Sequence, residues 1–470
     1  MQHAEAQKFS LLHIFAFCTV PLACWQKWIF TFIPNYYLQH AFIYIAAPFM
    51  LWAWQAKLWS LDDVWGLLKK AAPWLIVFFL FQTVAMWCSA SFYPVAGRPT
   101  FVSVLISLGK LAVQLPFILF FVLLCKVLIS DTRSQKCLLM GTVAAFVFIA
   151  LTCAVQALWL FGKDASLPWL AALAGKAKML NIALAPFIEA QWIGAVYDFY
   201  SEGSYTAKSL RINGVFEEAS ALAAWLSTFF LPVSLGLTAV RSRYNSAGWV
   251  MAAICFVILF VSTSFAGIIF GVTGLAAIAA YFCIGRRMFV LGGSFFMISI
   301  LSVLILFFTP KVQEKIERIQ LISMPRVAVT IATFELIKKH PVLGVGRGWF
   351  TRHVIEEPQN KEDLHKDPEF IAWKDTGSIP HLSTLPAAAA EYGIPVIFCV
   401  MFWVCGISKR LFGKLRENPH SDLYRCSATI CLFWIIMVAI AGLADIETRN
   451  ILFLLPLFCL YHLSEYKHEA

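Results

Sequence analysis

The sequence predicts an all-α, polytopic membrane protein of about twelve transmembrane helices. Three observations carry this: composition, the length of the apolar runs, and the placement of basic residues. Of 470 residues, 60% are hydrophobic and only 14% are charged, with a mean hydropathy of +0.74. Soluble domains sit near ~45–50% apolar and ~25% charged. A soluble core cannot absorb that much apolar surface, so lipid has to cover it.

Apolar stretches of spanning length (~20 residues) fall at 9–26, 38–58, 71–94, 100–126, 137–161, 213–240, 247–264, 265–285, 288–308, 382–408, 426–443 and 450–464. The first run, Phe9 to Trp25, is followed by aromatic and polar residues rather than a small-residue cleavage site, so it is expected to stay as a span. Short loops on one side hold fifteen basic residues, in groups near Lys57, Lys126, Arg241, Arg286 and Lys409, whereas the short loops on the other side hold three, Lys27, Arg98 and Arg449. By the positive-inside rule the fifteen, and both chain ends, face the cytoplasm. The net charge of +10 follows this loop pattern rather than one basic surface, which argues against nucleic acid as a partner. The thirteen cysteines form no Cys-x-x-Cys pair and no zinc-type cluster, and read as small hydrophobes.

The expected organisation is residues 1–308 with nine spans, 309–381 as a large outer loop between spans nine and ten, and 382–470 with three more spans. A segment near 162–210 has the composition of a helix lying at the interface. In the outer loop, Val327, Ile331, Phe334 and Ile337 recur at helical spacing. Pro341 is expected to end that helix, because proline cannot continue one. Gly344, Gly346 and Gly348 then permit a tight backbone path. Arg326 stands at the helix start and Arg347 in the glycine turn; His381 lies at the mouth of the next span. On the other approach, Arg211 opens the string RINGVFEEAS, with Glu217 and Glu218 at a helix N-terminus, where the dipole favours carboxylates. Lys110 and Gln114, four apart on the fourth span, are expected to line the bundle interior, with no role assigned.

These strings resemble the O-antigen ligase and polymerase superfamily of bacterial envelope glycosyltransferases. Arg211 with Gly214 is similar to its Arg-x-x-Gly stretch. Arg326 with Pro341, Gly344 and Gly346 is similar to its Arg followed by Pro-x-x-Gly-x-Gly. His381 with Glu391 and Gly393 is similar to its His ahead of Glu-x-Gly, with Leu382 where the family often has Asn. The likeness covers roughly residues 205–400. It implies a GT-C-like layout in the inner membrane, with a periplasmic loop between spans nine and ten and an active site facing the periplasm.

The implied reaction moves a glycan from undecaprenyl pyrophosphate to an acceptor sugar hydroxyl with inversion at the anomeric carbon. The leaving diphosphate gains charge and calls for fixed cations, which arginine supplies bidentately. The hydroxyl calls for a base near neutral pKa, which histidine supplies. Arg211 and Arg326 are thus the expected diphosphate ligands and His381 the expected base. Arg318, Arg347, Glu217 and Glu218 are further substrate-binding candidates. No cofactor is expected. The first outer loop, residues 26–40, contains no Asp or Glu, which disfavours the metal-holding acidic pair of other lipid-linked glycosyltransferases. The implied partners are the lipid-linked glycan, its acceptor, membrane lipid and, for a polymerase, a chain-length regulator. Glu218-Ala219-Ser220 is similar to the Glu-Pro-Ser string of many polymerases and favours that branch over a ligase. A twelve-span transporter or flippase is the competing class; the polar residues concentrated in one outer loop favour the enzyme.

Overall fold

A computed structural model describes residues 2–24, 41–95, 97–162, 167–182, 211–216, 218–242, 244–262, 264–282, 294, 297, 325–356, 371, 384–442 and 451–465. They are helical with short connections and include no strand. The helices are α1 (Gln2–Ala23), α2 (Ala41–Gln55), α3 (Leu61–Phe92), α4 (Thr100–Ala112), α5 (Gln114–Leu128), α6 (Thr132–Gly162) and α7 (Pro168–Ile182). After a gap come α8 (Ala219–Trp225), a π-helical turn (Leu226–Phe230), α9 (Leu231–Thr238), α10 (Tyr244–Val261) and α11 (Phe265–Ala280). The remainder are α12 (Pro325–Lys339), α13 (Phe350–Glu356), α14 (Thr384–Tyr392), α15 (Ile394–Glu417), α16 (Asp422–Ala441) and α17 (Ile451–Glu465).

Among the described residues, seven helical stretches are long and apolar enough to cross a membrane, so the chain is a multi-pass membrane protein. Helices occupy each expected span except 288–308, which lies outside the described residues apart from Ser294 and Met297. The expected fourth span is broken at Val113 into α4 and α5. Pro116, lacking an N–H, cannot bond the carbonyl of Ala112, so the helical ladder is interrupted there.

Burial separates the centre of the bundle from its rim. In the most apolar 18 residues of Ala219–Thr238, 89% are buried, whereas in those of Ile394–Glu417 only 11% are, and that helix presents Phe398, Phe402 and Trp403 outward. An apolar helix hydrophobic around its whole circumference belongs in the middle of a bundle. Two basic loops are tied at one end of the molecule. Lys126 of α5 pairs with Asp63 of α3 at 2.6 Å, and the Arg241 N–H donates to Asp422 of α16 at 3.0 Å.

The apolar interior forms two clusters. The larger runs through α1, α2, α5 to α11 and α15 to α17, with Phe15, Leu124, Phe230 and Met437 buried in it. The smaller holds Met86, Val104, Val329, Leu336, Trp349, Phe350 and Ala390. It joins the last turns of α3 to α4, α12, α13 and α14. At ~1.5 Å per residue, Gln82 stands roughly 30 Å along α3 from Leu61, so the second core lies toward the end of α3 opposite the one that Lys126 ties.

Candidate functional site

Each of the three motif regions is built into this frame differently. The helix expected in the outer loop forms at Pro325–Lys339 and ends before Pro341. Its buried face is not the expected stripe: Val329, Thr333 and Leu336 enter the second core, while Ile331 and Phe334 are about half exposed. Spacing alone offered two apolar stripes, and packing against α3 and α14 selected the other one.

After Pro341 the chain turns through Gly344, Gly346 and Gly348, at φ +67°, +83° and +84°. It is laced to the α14–α15 junction. The N–H of Val345 donates to Ala390 O (2.8 Å), that of Gly346 to Glu391 O (2.9 Å), and that of Ile394 to Pro341 O (2.9 Å). The Pro-x-x-Gly-x-Gly and Glu-x-Gly motifs are thus one physical unit. The glycines are required because of close approach. A Cβ on Gly346 would sit 2.9 Å from Met86 N, and one on Gly344 would meet the Glu391 carbonyl at 2.5 Å.

Arg347 and Glu391 lock this seam. Arg347 Nη1 lies 2.6 Å from Glu391 Oε2, and the Gly348 N–H donates to Oε1 at 3.1 Å. Glu391 is only 3% exposed and Arg347 21%. The Glu391 carboxylate raises the proton affinity of the guanidinium, against the opposing effect of burial, so Arg347 stays cationic. The back wall is one face of α3. Gln82 Oε1 accepts from the Arg347 N–H (3.1 Å), and Ser89 Oγ donates to Val345 O (2.6 Å). His353 of α13 reaches Ser89 Oγ at 2.9 Å and packs edge-on to the Tyr93 ring. Gln82, Ser89 and His353 had no functional reading in the sequence. The signal available was that Gln82, Met86 and Ser89 share one helical face near the end of a span.

The Arg211-x-x-Gly214 motif is anchored to a different helix. Gln156, buried in α6, accepts from the N–H of Asn213 (3.1 Å) and of Gly214 (2.8 Å), and donates to Asn213 Oδ1 (3.0 Å). Gly214 has φ +58°, and a Cβ there would meet Cys153 Sγ at 3.2 Å. Arg211 is half-buried just before this turn. Glu218 is the N-cap of α8, and its carboxylate accepts from Ser220 Oγ at 2.8 Å. The two polar members of the Glu-Ala-Ser string are therefore bonded to each other. Gln156→Leu leaves two buried N–H groups without their acceptor, at a cost of about 1–3 kcal/mol. Thermal unfolding of the purified variant should show a lowered midpoint, and an unchanged midpoint would mean the turn is held by something else.

Arg326 is the second residue of α12; His381, Arg318 and Glu217 lie outside the described residues. Lys110 is exposed and, with Arg98 and Arg352, lines a cavity of about 410 Å³ between α4 and α13. It faces that open cavity rather than the closed bundle interior expected of it.

No curated protein matches the chain. Residues 249–401 match the family model described as O-antigen ligase, a stretch that contains Arg326, the glycine turn, His381, Glu391 and Gly393, and leaves Arg211 outside. The activity that goes with this match is that of a ligase- or polymerase-type membrane glycosyltransferase, acting on a lipid-linked glycan and an acceptor. On the matched region as well as on its motifs, this chain resembles the O-antigen ligase and polymerase superfamily.

Proposed function

We propose that the protein transfers a glycan from undecaprenyl pyrophosphate to an acceptor sugar hydroxyl at the periplasmic face of the inner membrane, as a polymerase of O-antigen or related repeat units. The observation that carries this reading is the seam between Pro341–Gly348 and Ala390–Ile394, because it makes two separate sequence motifs one rigid element. α12 packs on α14, and their C-terminal ends are laced together. The N-terminal ends of both helices then open in the same direction. Arg326 is at one of them, and His381 is three residues before the other.

In this mechanism His381 accepts the proton of the acceptor hydroxyl. Its oxygen attacks the anomeric carbon as the bond from that carbon to the diphosphate oxygen breaks, which inverts the centre. Arg326 and Arg211 hold the departing diphosphate, with Arg318 as a further cation. Arg347 braces the seam through Glu391, and Glu217 and Glu218 flank the Arg211 approach. The arginines carry the leaving-group charge without a metal. A positioned general base contributes about 10²–10⁴-fold. His381→Ala and Arg326→Ala are therefore expected to lower turnover at least about a hundredfold, with normal membrane abundance. Either variant keeping most of its activity removes that residue from the mechanism.

The matched family is described as O-antigen ligase, which makes ligation to a lipid A core or a protein acceptor the second reading. A deletion strain separates the two: single capped repeats mark a polymerase, and long chains stranded on undecaprenyl pyrophosphate mark a ligase. Liposomes that move substrate without forming a glycosidic bond would instead mark a transporter.

A further inference from the structure

The cavity between α4 and α13 lies on the second core, next to the seam, yet none of the motif residues except the flank of the glycine turn contributes to it. It has about 410 Å³ of space and is lined by Arg98, Lys110 and Arg352 together with Ser103, Ser107 and Trp349. No carboxylate lines it, and among the described residues neither Arg98 nor Lys110 makes an ion pair. Arg352 is held in place: Nη1 donates to Tyr93 O at 3.0 Å and the guanidinium lies over the Trp349 ring. Ser103 Oγ and Trp349 Nε1 are buried, with the residues 5% and 4% exposed, and have no hydrogen-bond partner among the described residues. Three cations lining one hollow with no carboxylate among them, and a volume inside the ~300–1,000 Å³ range of ligand clefts, make a site suited to an anion.

We infer that this cavity binds a second lipid-linked diphosphate, that of the acceptor. The inference rests on the polymerase reading, in which both substrates are carried on a polyprenyl diphosphate and only one of them is cleaved. The motif arginines serve the diphosphate that leaves. The acceptor's diphosphate stays intact, needs holding rather than transition-state stabilisation, and requires a separate cationic hollow near the outer boundary. Val95 and Arg98, which follow the last turn of α3, line the cavity, so the site lies at the end of α3 opposite the one that Lys126 ties.

The test is titration of the purified full-length chain, in phosphatidylcholine nanodiscs, with geranyl diphosphate. Wild type is expected to bind two equivalents. An Arg98→Gln/Lys110→Gln variant, altered at two exposed positions, is expected to bind one, with the other weakened roughly tenfold or more by the loss of two charge-assisted contacts. Lys110→Arg should retain both. One equivalent in the wild type, or two of unchanged affinity in the double variant, overturns the proposal. So does loss of the second equivalent when phosphatidylglycerol replaces phosphatidylcholine, since the cavity would then be a phospholipid headgroup site. Arg326→Ala is expected to remove the other equivalent. If it removes none while the double variant still loses one, the donor assignment fails and the cavity assignment stands.

Discussion

Replacing Glu391 with alanine is expected to destabilise the protein by about 3–5 kcal/mol, the range for breaking a buried ion pair from one side. Three contacts go at once: the Arg347 guanidinium, the Gly348 N–H and the shape that fills the junction of α14 and α15. The guanidinium, 21% exposed, is left without its counter-ion and the Gly348 N–H without its acceptor. Arg347→Ala should be nearly as damaging, because it removes the counter-ion of a carboxylate that is 3% exposed. Glu391→Gln keeps the acceptor for Gly348 and the volume, so it should fall between wild type and alanine. The double variant Arg347→Ala/Glu391→Ala should be less unstable than the sum of the single variants. Unfolding midpoints of the purified variants in detergent, with in-membrane abundance alongside, measure this. Strict additivity, or a Glu391→Ala midpoint equal to wild type, would show that the pair does not hold the seam. The expected loss of product in these variants follows from the opening of the seam, since neither group is assigned to the reacting atoms.

Gly393→Ala should be comparably severe for a reason that lies in the backbone. Gly393 adopts φ +84°, ψ 155°, a region occupied almost only by glycine, which costs other residues about 1–3 kcal/mol. The added Cβ would also run into the carbonyl of Val342, which belongs to the facing segment and cannot swing away as a side chain can. Relief requires the two segments to part, and that breaks the Ile394–Pro341 hydrogen bond and shifts Glu391 from Arg347. Gly413→Ala is the matched control. It sits on exposed α15 with nothing within 4 Å of its Cβ, and alanine should there be neutral or stabilising by up to ~1 kcal/mol. Midpoints of the two variants compared side by side decide the matter. Equal behaviour would mean that the junction tolerates a side chain and is looser than its geometry indicates.

Much of this was legible in the chain itself, but unevenly. The outer-loop helix, its end at Pro341 and the glycine turn could be read because each depends on neighbours within a few residues. The buried face of that helix could not, because Ile331 and Phe334 are as apolar as Val329 and Leu336 and only the partner surface distinguishes them. Gln82, Ser89 and Gln156 escaped notice for the same reason. Their partners are distant in sequence, and a polar residue near a span end has many uneventful explanations. Lys110 was recognisable as out of place in an apolar helix, yet its neighbours Arg98 and Arg352 come from separate segments.

What the sequence determined by itself was the class of molecule and the motifs that resemble a glycosyltransferase superfamily. Those depend on quantities summed along the chain: transfer of apolar runs into lipid, and residue identity at fixed spacing. The tertiary structure alone decided that two motifs fuse into one unit around Arg347 and Glu391, that Gln156 fixes the third, and that three unconnected cations converge on one cavity. The physical reason is that burial, pairing and desolvation are properties of places, and no place is specified until distant segments pack together.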